Sequence, residues 1–325
     1  PAQETQETQE TQETQETMSA QTDRPRPPAP HLPAKPSRRS GRRLAALGLM
    51  APPLALYGAF MLYPLARVLL LSLYRWDGLG TGTWAGADNY VQTLSDDRLL
   101  GAFGHALVLI VFYALIPLAI GLVLADLLTR ARLKGLGFFR TVVFLPQVVA
   151  MVALAVAWRR IYAPDGLLNS ALRALGLDAL TRAWLGDFST ALIAVGLIGT
   201  WVSTGLVTVL LMSGIAAIPR DYYEAATLDG AGWWRRLWYV TLPGVRAEIL
   251  VSLTLTIIAA LKTFDLVYVT TSGGPGASTT VPFYEVYNQA FRLGRVGTAS
   301  SLAVILTAVI FVINLTINLF GERGR

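Results

Sequence analysis

The chain alternates long stretches without charge and short polar ones. Residues 44–66, 99–125, 141–158, 188–219 and 296–321 each lack Asp, Glu, Lys and Arg. Each meets the roughly 18 to 20 apolar residues that a helix needs to cross a hydrocarbon core about 30 Å thick. A sixth stretch, 246–271, has the same density of Leu, Ile and Val but carries Lys262 and Asp265. Backbone amides and carbonyls in lipid find no water, so a spanning segment satisfies them internally as a helix. The pattern predicts an all-α membrane protein of about six transmembrane helices within 44–325.

Composition agrees: 53% of residues are hydrophobic and 15% charged, with a mean hydropathy of +0.48, well to the apolar side of soluble proteins. Cysteine is absent and the two histidines, His31 and His105, are far apart, so disulfides, thiolate metal sites and a histidine centre are not expected. The pI near 9.7 would suit nucleic acid, but the basic residues lie where topology wants them. Seventeen flank one set of alternate loops and the termini, among them Arg38, Arg39, Arg42, Arg43, Arg130, Arg132, Lys134, Arg140, Arg235 and Arg236, against eight on the other side, including Arg159 and Arg160. Basic flanks stay in the cytoplasm. Both termini and the insert at 218–245 are therefore expected there, in a multi-pass protein of a bacterial or archaeal cell membrane.

Residues 1–43 read as a disordered cytoplasmic tail. An acidic Glu-Thr-Gln repeat gives way to a Pro- and Arg-rich segment, and neither can build a core. The arginine cluster at its end suits an anionic inner leaflet. Met18 offers an alternative start that would leave the repeat outside the native protein. The apolar run after Arg43 is longer than a signal-peptide core and no small-residue cleavage site follows it, so an uncleaved anchor is expected.

The insert at 218–245 is the unusual element. Pro219 suits a helix start, Asp221 and Glu224 suit the positive end of the helix dipole, and Gly230 suits a left-handed stop. Trp233, Trp234, Trp238 and Tyr239 would form an aromatic face on a second short helix ended by Leu242-Pro243. An amphipathic helix lying on the inner leaflet would show the same Trp-rich half.

The residues here carry a resemblance. Glu224-Ala225-Ala226, Gly230 and the distal Leu242-Pro243 resemble the Glu-Ala-Ala (EAA) loop of permease subunits in binding-protein-dependent ABC importers, with Val240 where Ile is usual. Gly137-Phe138-Phe139-Arg140 to Phe144-Leu145-Pro146, Tyr162-Ala163-Pro164-Asp165-Gly166 to Asn169, and Phe264-Asp265-Leu266-Val267-Tyr268 with Thr271-Ser272-Gly273-Gly274-Pro275 resemble the carbohydrate-uptake subgroup. The resemblance covers residues 44–321. It implies the importer permease fold, with 218–245 holding a cytoplasmic coupling helix that seats in a partner ATPase. Tyr223, Glu224, Ala225, Ala226, Asp229, Gly230, Leu242 and Pro243 would form the docking surface. It further implies a second, different permease subunit, two ATPase subunits and an extracellular substrate-binding protein. This chain would be a non-enzymatic transport subunit without a cofactor, ATP and magnesium residing on the ATPase. The absence of a GxxxxGK[ST] phosphate loop fits that division of labour.

Three further places attract function. Lys262 and Asp265, three residues apart on one predicted helix face, would pair and, with Tyr268, face the translocation path or orient the helix at the interface. Residues 271–276, with three glycines and a proline, predict a non-helical outer loop, whose Gly273, Gly274 and Pro275 would meet the binding protein. The loop from Trp76 to Tyr90, with Asp77, Trp84, Asp88 and Asn89, would touch the binding protein, stack on sugar or form an interfacial belt. Asp126, Asp187 and His105 fall near span ends, where solvated or capping roles are expected. The rival class is an ion-coupled secondary transporter, which would require charged sites deep in several helices.

Overall fold

The computed structural model describes residues 39–130 and 135–322. Most of the expected tail therefore lies outside the described residues, as do Arg323 and Arg325. The chain divides after Gly58. Before that point lies the helix Arg39–Tyr57, so helical backbone begins within the segment expected to be tail.

Among the described residues four helices are long and apolar enough to cross a membrane: Gly48–Leu71, Asp97–Thr129, Ala191–Ala217 and Val296–Leu319. Two bent pairs bring the number to six when each is counted as one span. Gly137–Val148 meets Met151–Ile161 at 99°, and Trp233–Gly244 meets Arg246–Leu261 at 74°. The first bend departs from the straight span expected over 141–158. Pro146 lacks the amide that would bond back to Val142, the helix ends two residues later, and Val149 and Ala150 turn extended. The second bend falls at Val245, just after Leu242-Pro243-Gly244.

The Ala191–Ala217 helix is the central post. It is apolar on every side, as a helix surrounded by protein must be, and 61% of its apolar window is buried. Small residues let its neighbours close in. Gly199 lies against the Tyr113 ring, and a Cβ at Gly205 would sit 2.5 Å from the Val143 carbonyl oxygen. Arg246–Leu261, Asp97–Thr129 and Gly137–Val148 pack round this post. Three apolar clusters hold the bundle: one around Ile198, Tyr113, Leu266 and Tyr284; one around Leu306, Ile257 and Ala106; and one around Ala125, Val207, Leu211 and Val245. By contrast the Gly48–Leu71 window has no buried residue and Phe60 is 78% exposed, a surface suited to hydrocarbon rather than water.

Short elements cap both ends. Arg220–Leu228 lies between the fourth span and the Trp233–Gly244 arm. At the opposite end are Asp88–Ser95, Leu167–Ala174, Asp265–Thr270 and Pro282–Tyr287, the last extended by a π-turn over Asn288–Arg292. Among the described residues a short two-stranded hairpin, Tyr74–Arg75 with Thr83–Trp84, joins the otherwise helical elements.

Candidate functional site

The 218–245 segment folds as two short helices hinged at glycine. Gly230 has φ +73°. Its amide bonds the Thr227 carbonyl at 3.0 Å while the Ala231 amide reaches back to Ala226 at 2.9 Å, the paired bonds of a glycine-terminated helix end. None of the nine residues of Arg220–Leu228 is buried. Tyr222 and Leu228 are 63% and 89% exposed, and Glu224, Ala225, Asp229, Gly230 and Pro243 are exposed with them. Among the described residues Glu224 has no charged partner. Ala226 and Leu242 are half-buried, and Tyr223 turns inward to Thr241. The segment thus presents a short acidic and apolar ridge that no side chain among the described residues covers.

The second helix is anchored from below. Leu237 and Val245 are buried, Val245 among Ala125, Val207 and Leu211. Of the expected aromatic face, Trp234, Trp238 and Tyr239 are exposed. Trp233 instead points inward and donates to Asp126 at 2.8 Å. Asp126 is not the solvated span-end residue that was expected: it is 1% exposed. Its charge, isolated in the apolar run from Leu118 to Leu128, was the one signal in the sequence. The Trp233 partner, 107 residues away, was not visible there.

Lys262 and Asp265 do not share a helix face. The fifth span ends at Leu261, with Lys262 its cap, and Asp265 opens the separate helix Asp265–Thr270. Both side chains are exposed, with no ion pair between them. The break follows from Thr263, which turns into the core and bonds the Tyr113 hydroxyl at 3.2 Å. Tyr268 belongs instead to an aromatic group: its ring lies 5.2 Å from Phe264, stacked, and 5.4 Å from Tyr287, which in turn lies 5.4 Å from Phe291. Tyr287 and Phe291 come from a loop helix that the sequence did not single out.

The 271–276 segment is non-helical, with Gly273 at φ +82° and Ser272 at φ +50°. Thr279 donates to the Gly274 carbonyl at 2.7 Å and Tyr284 to that of Ser272 at 2.6 Å. Gly273 is buried while Gly274 and Pro275 are half-buried, so the surface of the turn is made by Ser272 and Gly276. Beside it Glu285, wholly buried, accepts from Arg98 at 3.0 Å and from Asn288 at 3.3 Å, a latch between the second span and the loop helix. His105 adds a second tie, its Nδ1 donating to the Thr280 carbonyl at 2.8 Å. The fourth span has Thr190 as its N-cap with no side-chain cap bond, so the capping role expected of Asp187 is not made and its carboxyl turns to Ser189 instead. The Ser189 hydroxyl and amide, at 2.6 and 2.8 Å, hold its carboxyl below the usual carboxylate range.

The loop between the first and second spans and the start of the sixth line an open cleft of about 940 Å³, with Trp76, Asp77, Gln92, Asp96 and Arg295 in its walls. Asp88 pairs with Arg75 at 3.2 Å on its rim. Asn89, 2% exposed, is structural: it donates to the Ser72 and Tyr74 carbonyls. Trp84 is 65% exposed and meets Tyr74 edge-on.

A bundle of up to six spans with an exposed, glycine-hinged helix between the fourth and fifth defines a multi-pass membrane subunit of the transport type. The chain belongs to the family described as binding-protein-dependent transport system inner membrane component, whose model matches residues 118–323. Among its relatives, the probable ABC transporter permease protein YurN of Bacillus subtilis is 36% identical over 84% of this chain and 94% of its own length. The diacetylchitobiose uptake system permease protein NgcF of Streptomyces coelicolor is 33% identical over 82% of this chain and 79% of its own. The lactose transport system permease protein LacF of Rhizobium radiobacter is 33% identical over 80% and 89%. In fold, the chain superposes with a TM-score of 0.77 on a chain of a bacterial ABC transporter involved in the import of alginate, at 21% identity, covering 88% of this chain and 98% of the other. It is a permease component, a transport subunit rather than an enzyme.

Proposed function

We propose that this chain is one of two permease subunits forming the pore of an ATP-driven carbohydrate importer, and that Arg220–Leu228 docks it to an ATPase partner. The observation that carries the reading is the ridge at Glu224, Ala225, Asp229 and Gly230, exposed on a helix without a single buried residue. An amphipathic helix on the inner leaflet would bury its apolar side in the headgroups. Here the exposed ridge includes three carboxylates, Asp221, Glu224 and Asp229, which an anionic leaflet would repel.

Several features support the remaining parts. The basic flanks support a cytoplasmic side for both termini and the 218–245 segment, where ATP is. The sequence carries no phosphate-loop motif, which supports a partner that holds the nucleotide and magnesium. The relatives named for lactose and diacetylchitobiose, and another for trehalose and maltose in Thermococcus litoralis, support a mono- or oligosaccharide or related polyol as solute. An extracellular binding protein would deliver it to the end bearing the 271–276 turn. ATP-driven closure of the ATPase pair then biases the bundle between inward- and outward-facing states, a rigid-body switch worked through the docked helix.

The test is uptake by vesicles holding the purified complex and its binding protein, with labelled lactose, trehalose, maltose and diacetylchitobiose offered in parallel. Accumulation of at least one that requires internal ATP and withstands dissipation of ion gradients is expected. Accumulation driven by an ion gradient without ATP would establish the secondary-transporter reading instead.

A further inference from the structure

We infer that Asp126 is a positioning residue through which the docked helix moves the second span, an inference that rests on the proposed docking of Arg220–Leu228. The docking helix is joined by the chain to the fourth span, through Ile218-Pro219, and to the fifth, through Val245. It has no covalent link to Asp97–Thr129. Side chains supply that link. Asp126, near the end of the second span and 1% exposed, accepts at one oxygen from the Trp233 indole N–H at 2.8 Å and at the other from the Thr241 hydroxyl at 3.2 Å.

A carboxylate is acceptor-only, so the Thr241 proton is committed to Asp126 and the Thr241 oxygen is left to accept. What it accepts from is the Tyr223 hydroxyl, 3.3 Å away on the docking helix itself. Tyr223, Thr241 and Asp126 thus form a directional chain from the docking helix to the second span, with Trp233 bracing its far end. Thr241 is wholly buried, so water does not compete with the chain at its centre. A further bond, from Arg236 Nη1 to the Thr227 hydroxyl at 3.1 Å, locks the two short helices to each other. The docking helix and the Trp233–Gly244 arm therefore move as one piece, and Asp126 hooks that piece to a span which chain connectivity alone would leave behind.

Two substitutions cut the hook while keeping shape. Asp126→Asn leaves one accepting oxygen for two donors, and Trp233→Phe removes the N–H but keeps a ring. Both are made in the full complex in vesicles, with two readouts. One is solute accumulated per ATP hydrolysed, using whichever of the four sugars the wild type takes up. The other is a reporter on Ile120→Cys, in the half of the second span that leads to Asp126, 41% exposed and the only thiol in a chain without cysteine. Hydrogen bonds to a charged group are worth about 1.5–3 kcal/mol, roughly tenfold or more. The expected result is wild-type assembly and basal ATP hydrolysis, a fall of about tenfold in solute moved per ATP, and loss of the ATP-dependent reporter change. Asp126→Glu, which keeps both acceptors, should restore much of the ratio.

Unchanged ratio and reporter response in both variants would overturn the inference. So would a proportional loss of uptake and hydrolysis, or failed assembly in both, because the network would then serve structure alone. If the wild type shows the reporter change but accumulates none of the sugars, the carbohydrate reading fails and the hook is judged on the reporter.

Discussion

A side chain added at Gly230 would meet no atom of this chain within 4 Å, so its intrinsic cost is conformational: a φ of +73° disfavours an L-residue by about 1–2 kcal/mol. Gly230→Ala should therefore leave the folded chain nearly intact while weakening ATPase association by about tenfold, read by co-purification of the complex. Retention of wild-type association would show that the position serves only the turn. Glu224 makes the complementary case. Its carboxylate has no charged partner among the described residues, so Glu224→Ala should cost the isolated chain less than about 0.5 kcal/mol. The same change should lower complex stability by about 1–3 kcal/mol. Thermal melting of the subunit and of the complex, measured side by side, separates the two. Arg98 differs again. Its loss strands Glu285, a fully buried carboxylate, although the Arg98 side chain is itself 51% exposed and partly screened. A destabilisation of about 1–3 kcal/mol is expected for Arg98→Ala, and Glu285→Gln, which leaves no buried charge, should cost less.

At the scale of elements, the sequence revealed five spans through charge-free length and one, at 246–271, through its density of Leu, Ile and Val, but not the bends. The 141–158 stretch reads as one helix because periodicity does not register a 99° turn, and Pro146 alone could have marked it. Lys262 and Asp265 were placed on one helix because the apolar run continues through both. Thr263 breaks that run by turning toward Tyr113, a partner 150 residues away that local pattern cannot reveal. The docking helix was legible to its last turn, since Pro219, Glu224 and Gly230 act through local backbone geometry and electrostatics. The Trp233 contact with Asp126 and the aromatic group of Tyr268, Tyr287 and Phe291 were not, because both are made across the fold. The Ala191–Ala217 post offers an element-scale test. Gly199 lies against the Tyr113 ring, so Gly199→Leu forces neighbouring helices apart. Overpacking of this kind costs about 1–3 kcal/mol or more, and the detergent-solubilised chain should melt correspondingly lower. An unchanged melting temperature would show that the helices are not held at this distance.

Across the whole molecule, the lipid-facing first and sixth spans, the buried fourth and the displayed loop divide the labour. One surface is suited to hydrocarbon, one core holds shape, and one short helix is left exposed for the proposed docking. The outer end is the more tightly knit, with Glu285 latched to Arg98, His105 bonded to Thr280 and the 271–276 turn closed by Thr279 and Tyr284. The other end carries the ridge. Because the chain contains no cysteine, a single Ala225→Cys substitution places the only thiol of the subunit on that ridge. Treated with a short thiol-to-amine cross-linker in membranes holding the full complex, it should give one dominant product, the size of this chain plus one ATPase subunit, with a yield that changes when ATP is added. Labelling of that thiol by a membrane-impermeant reagent from the extracellular side, with no ATPase adduct, would contradict the account.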